Sequence, residues 1–108
     1  MSKYKAKKTT VDNIVFDSKK EATRYTQLML LERAGKICNL KRQIKYELIP
    51  SQYVNGKCVE RAVTYTADFE YDEDGHHIVE DAKGMRTQPY ILRRKLMLWV
   101  HGIRIRET

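Results

Sequence analysis

The sequence has little of what membrane-spanning, disulfide-stapled or zinc-binding chains require. Its two cysteines, Cys38 and Cys58, stand alone without CxxC spacing, so neither a disulfide framework nor a zinc site is indicated. No apolar run approaches the roughly 18 residues that cross a bilayer, and the basic start leads into no apolar signal core. These absences predict a cytoplasmic protein with reduced cysteines and no membrane contact.

The chain does carry enough apolar residues for one core, and an excess of positive charge. Its 108 residues are 42% hydrophobic and 32% charged, which is typical of one folded domain, predicted here over residues 1–108. Lys and Arg total 21 against 14 Asp and Glu, for a net charge of +7. Such a balance favours a polyanionic partner, with nucleic acid as the first candidate, although a basic surface also serves solubility.

Turn and capping signals predict an N-terminal β-ribbon followed by a helix. Residues 9–16 hold two short apolar runs around an Asp-Asn pair, a pair that tolerates positive φ. Ser18 and Glu21 then form a capping-box pattern, and apolar residues recur at helical spacing as far as Ala34. Ahead of the ribbon, residues 1–8 are rich in lysine and are predicted to form a mobile basic arm.

The remainder of the chain is predicted to contain a three-stranded meander, a second helix and a last strand. Asn-Gly at 55–56 and the acidic turn at 72–75 separate strands, while Pro89 and Gly102 bracket the helix. The predicted strands cover residues 37–49, 58–71, 77–83 and 103–106, and the second helix covers 90–101. Because a helical crossover lets the last strand join the sheet in parallel, the fold class is α/β (α+β) with a mixed central sheet.

Two aspartates and a lysine are predicted to meet on this meander. Residues two apart on a strand share a face, so Asp81 and Lys83 project together while Glu80 points the other way. Hairpin pairing brings Asp68 close to Asp81. Two adjacent carboxylates repel each other, and a hard cation such as Mg²⁺ relieves that repulsion by taking oxygen ligands. With Lys83 holding water or a phosphate, the group outlines a phosphodiesterase.

This arrangement resembles the signature of PD-(D/E)XK nucleases. The specificity lies in three segments that occur in order: FDSKKEA at 16–22, YTADF at 65–69 and EDAKG at 80–84. Together they resemble a small phage and prophage endonuclease family related to Holliday-junction resolvases. The resemblance covers nearly the whole chain and implies a restriction-endonuclease-like core in a stand-alone enzyme, which acts in the host cell cytoplasm if the chain is phage-encoded.

The resemblance also implies a site, a cofactor and a substrate. Glu21 from the first helix would complete a catalytic group of Glu21, Asp68, Asp81 and Lys83, with the three carboxylates on Mg²⁺ or Mn²⁺. Glu80 is expected beside the helices as a supporting residue, although a bulge can swing it towards the metal in place of Asp81. Without the resemblance, the capping-box pattern favours a simple capping role for Glu21 over a catalytic one.

Basic residues near the site are candidates for contacts with DNA phosphates. They are Lys5, Lys7, Lys8, Lys19, Arg86, Arg93, Arg94 and Lys95. Their alternative role is a solvated surface. His76 and His77 are expected at the surface rather than in catalysis, and Tyr90 and Trp99 in a core or an interface.

The sequence leaves three functions open. The first is an endonuclease acting on branched DNA such as four-way junctions, which requires two coordinated cuts and hence a homodimer. The second is a general nicking endonuclease in phage recombination or replication, and the third is a non-catalytic DNA-binding subunit on the same fold. Dependence on a metal ion discriminates the third from the others.

Overall fold

The fold is seen in a computed structural model that describes residues 8–82 and 85–108. The predicted basic arm therefore lies outside the described residues except for Lys8, which is exposed. Lys83, the predicted catalytic lysine, also lies outside them.

Helices and strands follow one another in nearly the predicted order. They are β1 (Thr9–Val11), β2 (Ile14–Phe16), α1 (Lys19–Arg33), β3 (Cys38–Ile49), β4 (Gln52–Val54), β5 (Lys57–Glu60), β6 (Val63–Glu73), β7 (His76–Asp81), α2 (Gln88–His101) and β8 (Arg106–Glu107). Neither helix in these ranges is both long and apolar enough to span a membrane.

The central sheet has four strands in the order β3-β6-β7-β8. The first three form an antiparallel meander, and β8 joins β7 in parallel after the crossover through α2. Two further ribbons, β1-β2 and β4-β5, stand outside this sheet. The predicted mixed α/β architecture is confirmed.

Three tight hairpin turns form where the sequence places them. Both central residues have positive φ in each turn, for example Asn55 at 53° and Gly56 at 78°. Two successive positive φ values are the hallmark of the type I′ turn, whose twist matches the flanking strands. The Asp12-Asn13 and Asp74-Gly75 turns share this geometry.

Side chains cap both helices as the sequence predicts. Ser18 Oγ accepts a hydrogen bond of 3.1 Å from the Glu21 amide, and Thr87 Oγ1 accepts one of 3.3 Å from the Tyr90 amide. Gly102 ends α2 with φ of 67°, a conformation that glycine adopts without strain. The Glu21 carboxylate, however, bonds to Gln43 on β3.

Two predicted strands differ from the structure. The strand predicted at 58–71 is two strands, because β5 pairs only with β4 in the outer ribbon while β6 pairs with β3 and β7. The last strand lies at Arg106–Glu107 rather than 103–106. Ile103 and Ile105 pack into the core below α2, so their alternation with arginine reflects burial and not ladder pairing.

Apolar side chains form two clusters, one with residues of α1 and one with residues of α2. The first contains Phe16, Ala22, Tyr25, Leu28, Ile37, Phe69 and Tyr71, and the second contains Leu48, Tyr65, Ala67, Val79, Tyr90, Met97 and Ile105. On β7, Ile78 packs with the first cluster and Val79 with the second. Since successive strand residues point to opposite faces, the clusters lie on opposite faces of β7.

The pairing between β3 and β6 is interrupted at Asp68, although the register is the same on both sides of the interruption. The paired positions pass from Arg42↔Phe69 to Ile44↔Ala67 and skip Gln43 and Asp68. Gln43 has φ of 54°, a left-handed conformation that is uncommon for a residue with a side chain. The chain along β6 also changes cluster here, since Ala67 belongs to the α2 cluster and Phe69 to the α1 cluster. Asp68 therefore lies where regular sheet structure is interrupted.

Candidate functional site

Asp68 and Asp81 meet at the end of the β6-β7 pair. The Asp68 carboxylate accepts a hydrogen bond of 2.8 Å from the Ala82 amide, just beyond β7. Asp81 is 1% exposed and accepts a bond of 2.6 Å from the Tyr65 hydroxyl. The charge of Asp81 raises the pKa of Asp68, as expected for two carboxyl groups that lie close together. The sequence spacing correctly predicts this pair.

Burial and mutual repulsion shift the acidity of the cluster. Burial is the largest cause that raises the pKa of Asp68, and the charges of Asp81 and Glu21 raise it further, to about 7. The pKa of Glu21 is raised too, first by burial, with Asp17 and Asp81 adding to the effect while Arg42 and Gln43 oppose it. Three carboxyl groups thus share one electrostatic environment in which full ionisation is unfavourable.

Glu21 enters this environment from the first turn of α1. Its Oε1 accepts a hydrogen bond of 3.0 Å from Gln43 Nε2 and lies 3.7 Å from Arg42 Nη2. The Arg42 guanidinium stacks over the Phe16 ring, 4.4 Å from its centroid. Glu21 is therefore held by two β3 residues, in addition to its place in the helix cap.

Arg42 and Gln43 are site residues that the sequence predictions missed. Arg42 breaks the series of apolar side chains Leu40, Ile44, Tyr46 and Leu48 at alternate positions of β3. A charged residue at that position is a signal of an internal partner. Gln43 gives no such signal. Its contact with Glu21 goes with an unusual backbone φ, which a glutamine in the sequence does not predict.

Glu80 has a different environment from Asp81. It is fully buried and receives two bonds from Arg24 of α1, at 2.6 Å from Nε and 2.9 Å from Nη2. The Tyr71 hydroxyl donates to it at 2.5 Å and the Thr108 hydroxyl at 3.1 Å. As expected, Glu80 faces the α1 side with Ile78 and Ala82. Its oxygens bind Arg24, so the structure places it in an ion pair and not beside Asp68.

The predicted phosphate-binding residues fall into two groups. Lys8, Lys19 and Lys95 are exposed. Arg86 and Arg94 contact Glu107 at 2.9 and 3.3 Å, and Arg93 donates to the Thr64 carbonyl oxygen at 2.9 Å. Lys5 and Lys7 lie outside the described residues. The exposed lysine side chains can extend towards a phosphate, whereas the arginine contacts also hold α2 in place.

The other residues named in the sequence analysis are not part of the cluster of Asp68, Asp81 and Glu21. His76 and His77 are exposed at the hairpin tip, and Cys38 and Cys58 are free and exposed. Tyr90 is buried, as expected for a core aromatic, and donates to Glu107 at 2.7 Å. Trp99 is 85% exposed, which excludes the core alternative for this residue and leaves the interface alternative as a prediction.

The donor set at the site suits a hard divalent cation. Asp68 and Asp81 offer carboxylate oxygens, and a bound cation would relieve the repulsion that helps to raise the pKa of Asp68. Within residues 8–82 and 85–108, no set of three or more Asp, Glu, His or Cys side chains is already arranged to hold a metal ion. The aspartate pair is thus the primary candidate, with Glu21 as the neighbouring third carboxylate.

Fold and site define a mixed α/β domain with a buried carboxylate pair at the end of its central hairpin. A family model described as "Protein of unknown function (DUF1064)" matches residues 1–103, and the chain belongs to that family. The chain matches no curated protein and no solved structure.

Proposed function

We propose that this protein is a Mg²⁺- or Mn²⁺-dependent DNA endonuclease of the PD-(D/E)XK kind. The observation that carries the proposal is the meeting of buried Asp81 with partly buried Asp68, with Glu21 in the same electrostatic environment. Such a cluster destabilises the metal-free protein. A bound cation that replaces the proton of Asp68 would relieve the repulsion between the carboxylates. The element order, a helix, an antiparallel meander, a helix and a parallel strand, is that implied by the nuclease resemblance.

Asp68 and Asp81 would hold the metal ion, with Glu21 as a third acidic group. When bound, the cation supplies a more acidic water and stabilises phosphate charge. The chain orients its own ligands: the Ala82 amide fixes Asp68, the Tyr65 hydroxyl fixes Asp81, and Gln43 fixes Glu21. Lys83, two residues after Asp81, is assigned from the sequence to hold the attacking water or the scissile phosphate.

Branched DNA is the proposed substrate. The described chain is a single small domain with one central sheet, and its net charge is +7. A compact basic protein can read the shape of a junction through phosphates without a separate base-reading module. Two symmetric cuts in a four-way junction require two sites, so a homodimer is part of the proposal.

The test is cleavage of labelled four-way junction, duplex and single-stranded DNA in Mg²⁺, Mn²⁺ or EDTA. Asp81→Asn is the diagnostic variant, and Asp72→Asn, a partly exposed aspartate on the same hairpin, is the matched control. Metal-dependent cutting by the wild type and Asp72→Asn, lost in Asp81→Asn, supports the endonuclease. If the wild type cuts all three DNA substrates at similar rates, the result would point instead to a general nicking enzyme.

The second candidate is a non-catalytic DNA-binding subunit. The observation in its favour is that no three-ligand metal set is arranged among the described residues. If the wild type binds DNA but cuts none of the three substrates with either metal, this candidate replaces the endonuclease.

A further inference from the structure

The outer face of α2 is apolar where a surface helix is normally polar. Tyr90 and Met97 point into the core, while Leu92 and Trp99, two turns apart, are 58% and 85% exposed. Val100, next to Trp99, is 46% exposed, whereas Leu96 packs partly against the core. A helix that is apolar on both sides is normally buried on both sides. The second side of α2 therefore lacks a cover within the described chain.

The β4-β5 ribbon has the same property. Every residue of both strands is exposed, including the apolar side chains of Tyr53, Val54 and Val59. Within the described residues, the ribbon makes no extensive contact with any other helix or strand. A lone two-stranded ribbon is marginally stable in water, so this one needs a surface to rest on.

These two surfaces start from the same place in the fold. His101 at the end of α2 contacts the Glu47 carbonyl oxygen at 2.7 Å, and Arg93 binds the Thr64 carbonyl oxygen at 2.9 Å. Glu47 and Thr64 are ladder partners just before the ribbon leaves the sheet. Both elements are thus attached at this part of the sheet, and we refer to the helix stripe and the ribbon together as the apolar surface.

We propose that this surface binds a second copy of the chain, with α2 against α2 about a two-fold axis and each ribbon against the other copy. The helix stripe alone offers on the order of 400 Å² per copy, most of it from Trp99. A stable dimer buries about 800 Å² per copy, so the ribbon is needed to reach that size. A two-fold interface uses the same patch on both copies, so each copy would contribute its own stripe and ribbon.

A second copy fits this surface better than DNA does. Phosphate contacts need cations, whereas the stripe and the ribbon project leucine, valine, tyrosine and tryptophan side chains. The dimer also supplies the two cleavage sites that the proposed junction substrate needs, and only in this respect does the inference rest on the proposed function.

Sedimentation velocity of the DNA-free protein tests the dimer without reference to cleavage. The wild type is expected to sediment at twice 12.8 kDa at tens of micromolar. Leu92→Glu and Trp99→Glu should raise the dimer dissociation constant about 30-fold or more, because each places a charge at the centre of the interface. Tyr53→Ser with Val59→Ser should weaken the dimer as well.

The matched control is Leu30→Glu on α1, since Leu30 is 59% exposed and lies on the other helix. It should leave the dimer intact, and circular dichroism should show all variants folded. A monomeric wild type overturns the inference, as does a dimer that Leu92→Glu and Trp99→Glu leave unchanged. A monomer whose DNA binding is weakened by Trp99→Glu likewise overturns it and reassigns the surface to base stacking. None of these results bears on metal-dependent cleavage.

Discussion

The raised pKa of Asp68, which lies beside Asp81, makes these residues the most informative in the molecule. A carboxyl group that stays protonated to about pH 7 is ready to exchange its proton for a cation near neutral pH. An aspartate in the unfolded chain loses its proton near pH 4. The difference makes stability depend on pH in a direction that can be measured.

Asp68→Asn should stabilise the metal-free protein increasingly as pH rises. Between about pH 4 and pH 7 the folded wild type keeps a proton that the unfolded chain has released, so its free energy of unfolding falls as pH rises through this window. The asparagine variant lacks this loss. Urea unfolding in EDTA should therefore show a gap between variant and wild type that grows up to about pH 7 and then levels off.

Asp72→Asn is the control with the opposite sign. A hydrogen bond from Asn39 is the largest cause that lowers the pKa of Asp72, with His77 adding to it. Replacing Asp72 should therefore remove a small stabilisation that is present at higher pH. A gap for Asp68→Asn that is independent of pH would contradict the raised pKa of Asp68.

Gln43 combines a strained backbone with a contact to Glu21, and two substitutions separate these roles. Gln43→Ala and Gln43→Gly both remove the amide that binds Glu21. Only glycine adopts φ of 54° without a steric cost, so the glycine variant should be more stable than the alanine variant by about 1 kcal/mol. Thermal unfolding measures the difference. Equal stabilities would show that the left-handed conformation is not retained.

Among the elements, α1 is joined to β7 by the ion pair between Arg24 and Glu80. Glu80 is fully buried, so removing Arg24 leaves a carboxylate without its main compensation. Arg24→Met should cost about 3 kcal/mol of unfolding free energy, measured by urea denaturation. Arg86→Met, which breaks the exposed pair with Glu107, should cost less than about 1 kcal/mol. Similar losses for both variants would contradict this assignment.

Sequence patterns predicted the elements well where local chemistry decides them. Ser18, Thr87 and Gly102 act on residues three or four positions away in the same helix, so the helix ends could be predicted from the local sequence. The break between β5 and β6 could not be read, because it depends on which distant strand each segment pairs with. The core alternative for Trp99 failed for a related reason. Helical spacing predicts an apolar stripe but does not say which face of the helix packs against the core.

For the whole molecule, the sequence predicted the topology and the meeting of Asp68 with Asp81. Both follow from strand order and hairpin pairing. The anchoring of Glu21 by Arg42 and Gln43 could not be predicted, since it arises from an irregularity in the β3-β6 ladder that propensities do not encode. The separation of Glu80 from the site could be predicted from strand alternation. Its partner Arg24 could be identified only from the structure.

Metal binding at the aspartate pair is the claim on which the proposed function depends. The direct measurement is a calorimetric titration with Mn²⁺ at about pH 6.5, in two buffers of different ionisation enthalpy. The wild type and Asp72→Asn should bind the ion and release most of one proton, while Asp68→Asn should bind at least about tenfold more weakly and release none. Binding that is the same in all three proteins, or no binding to the wild type, would contradict the metal site.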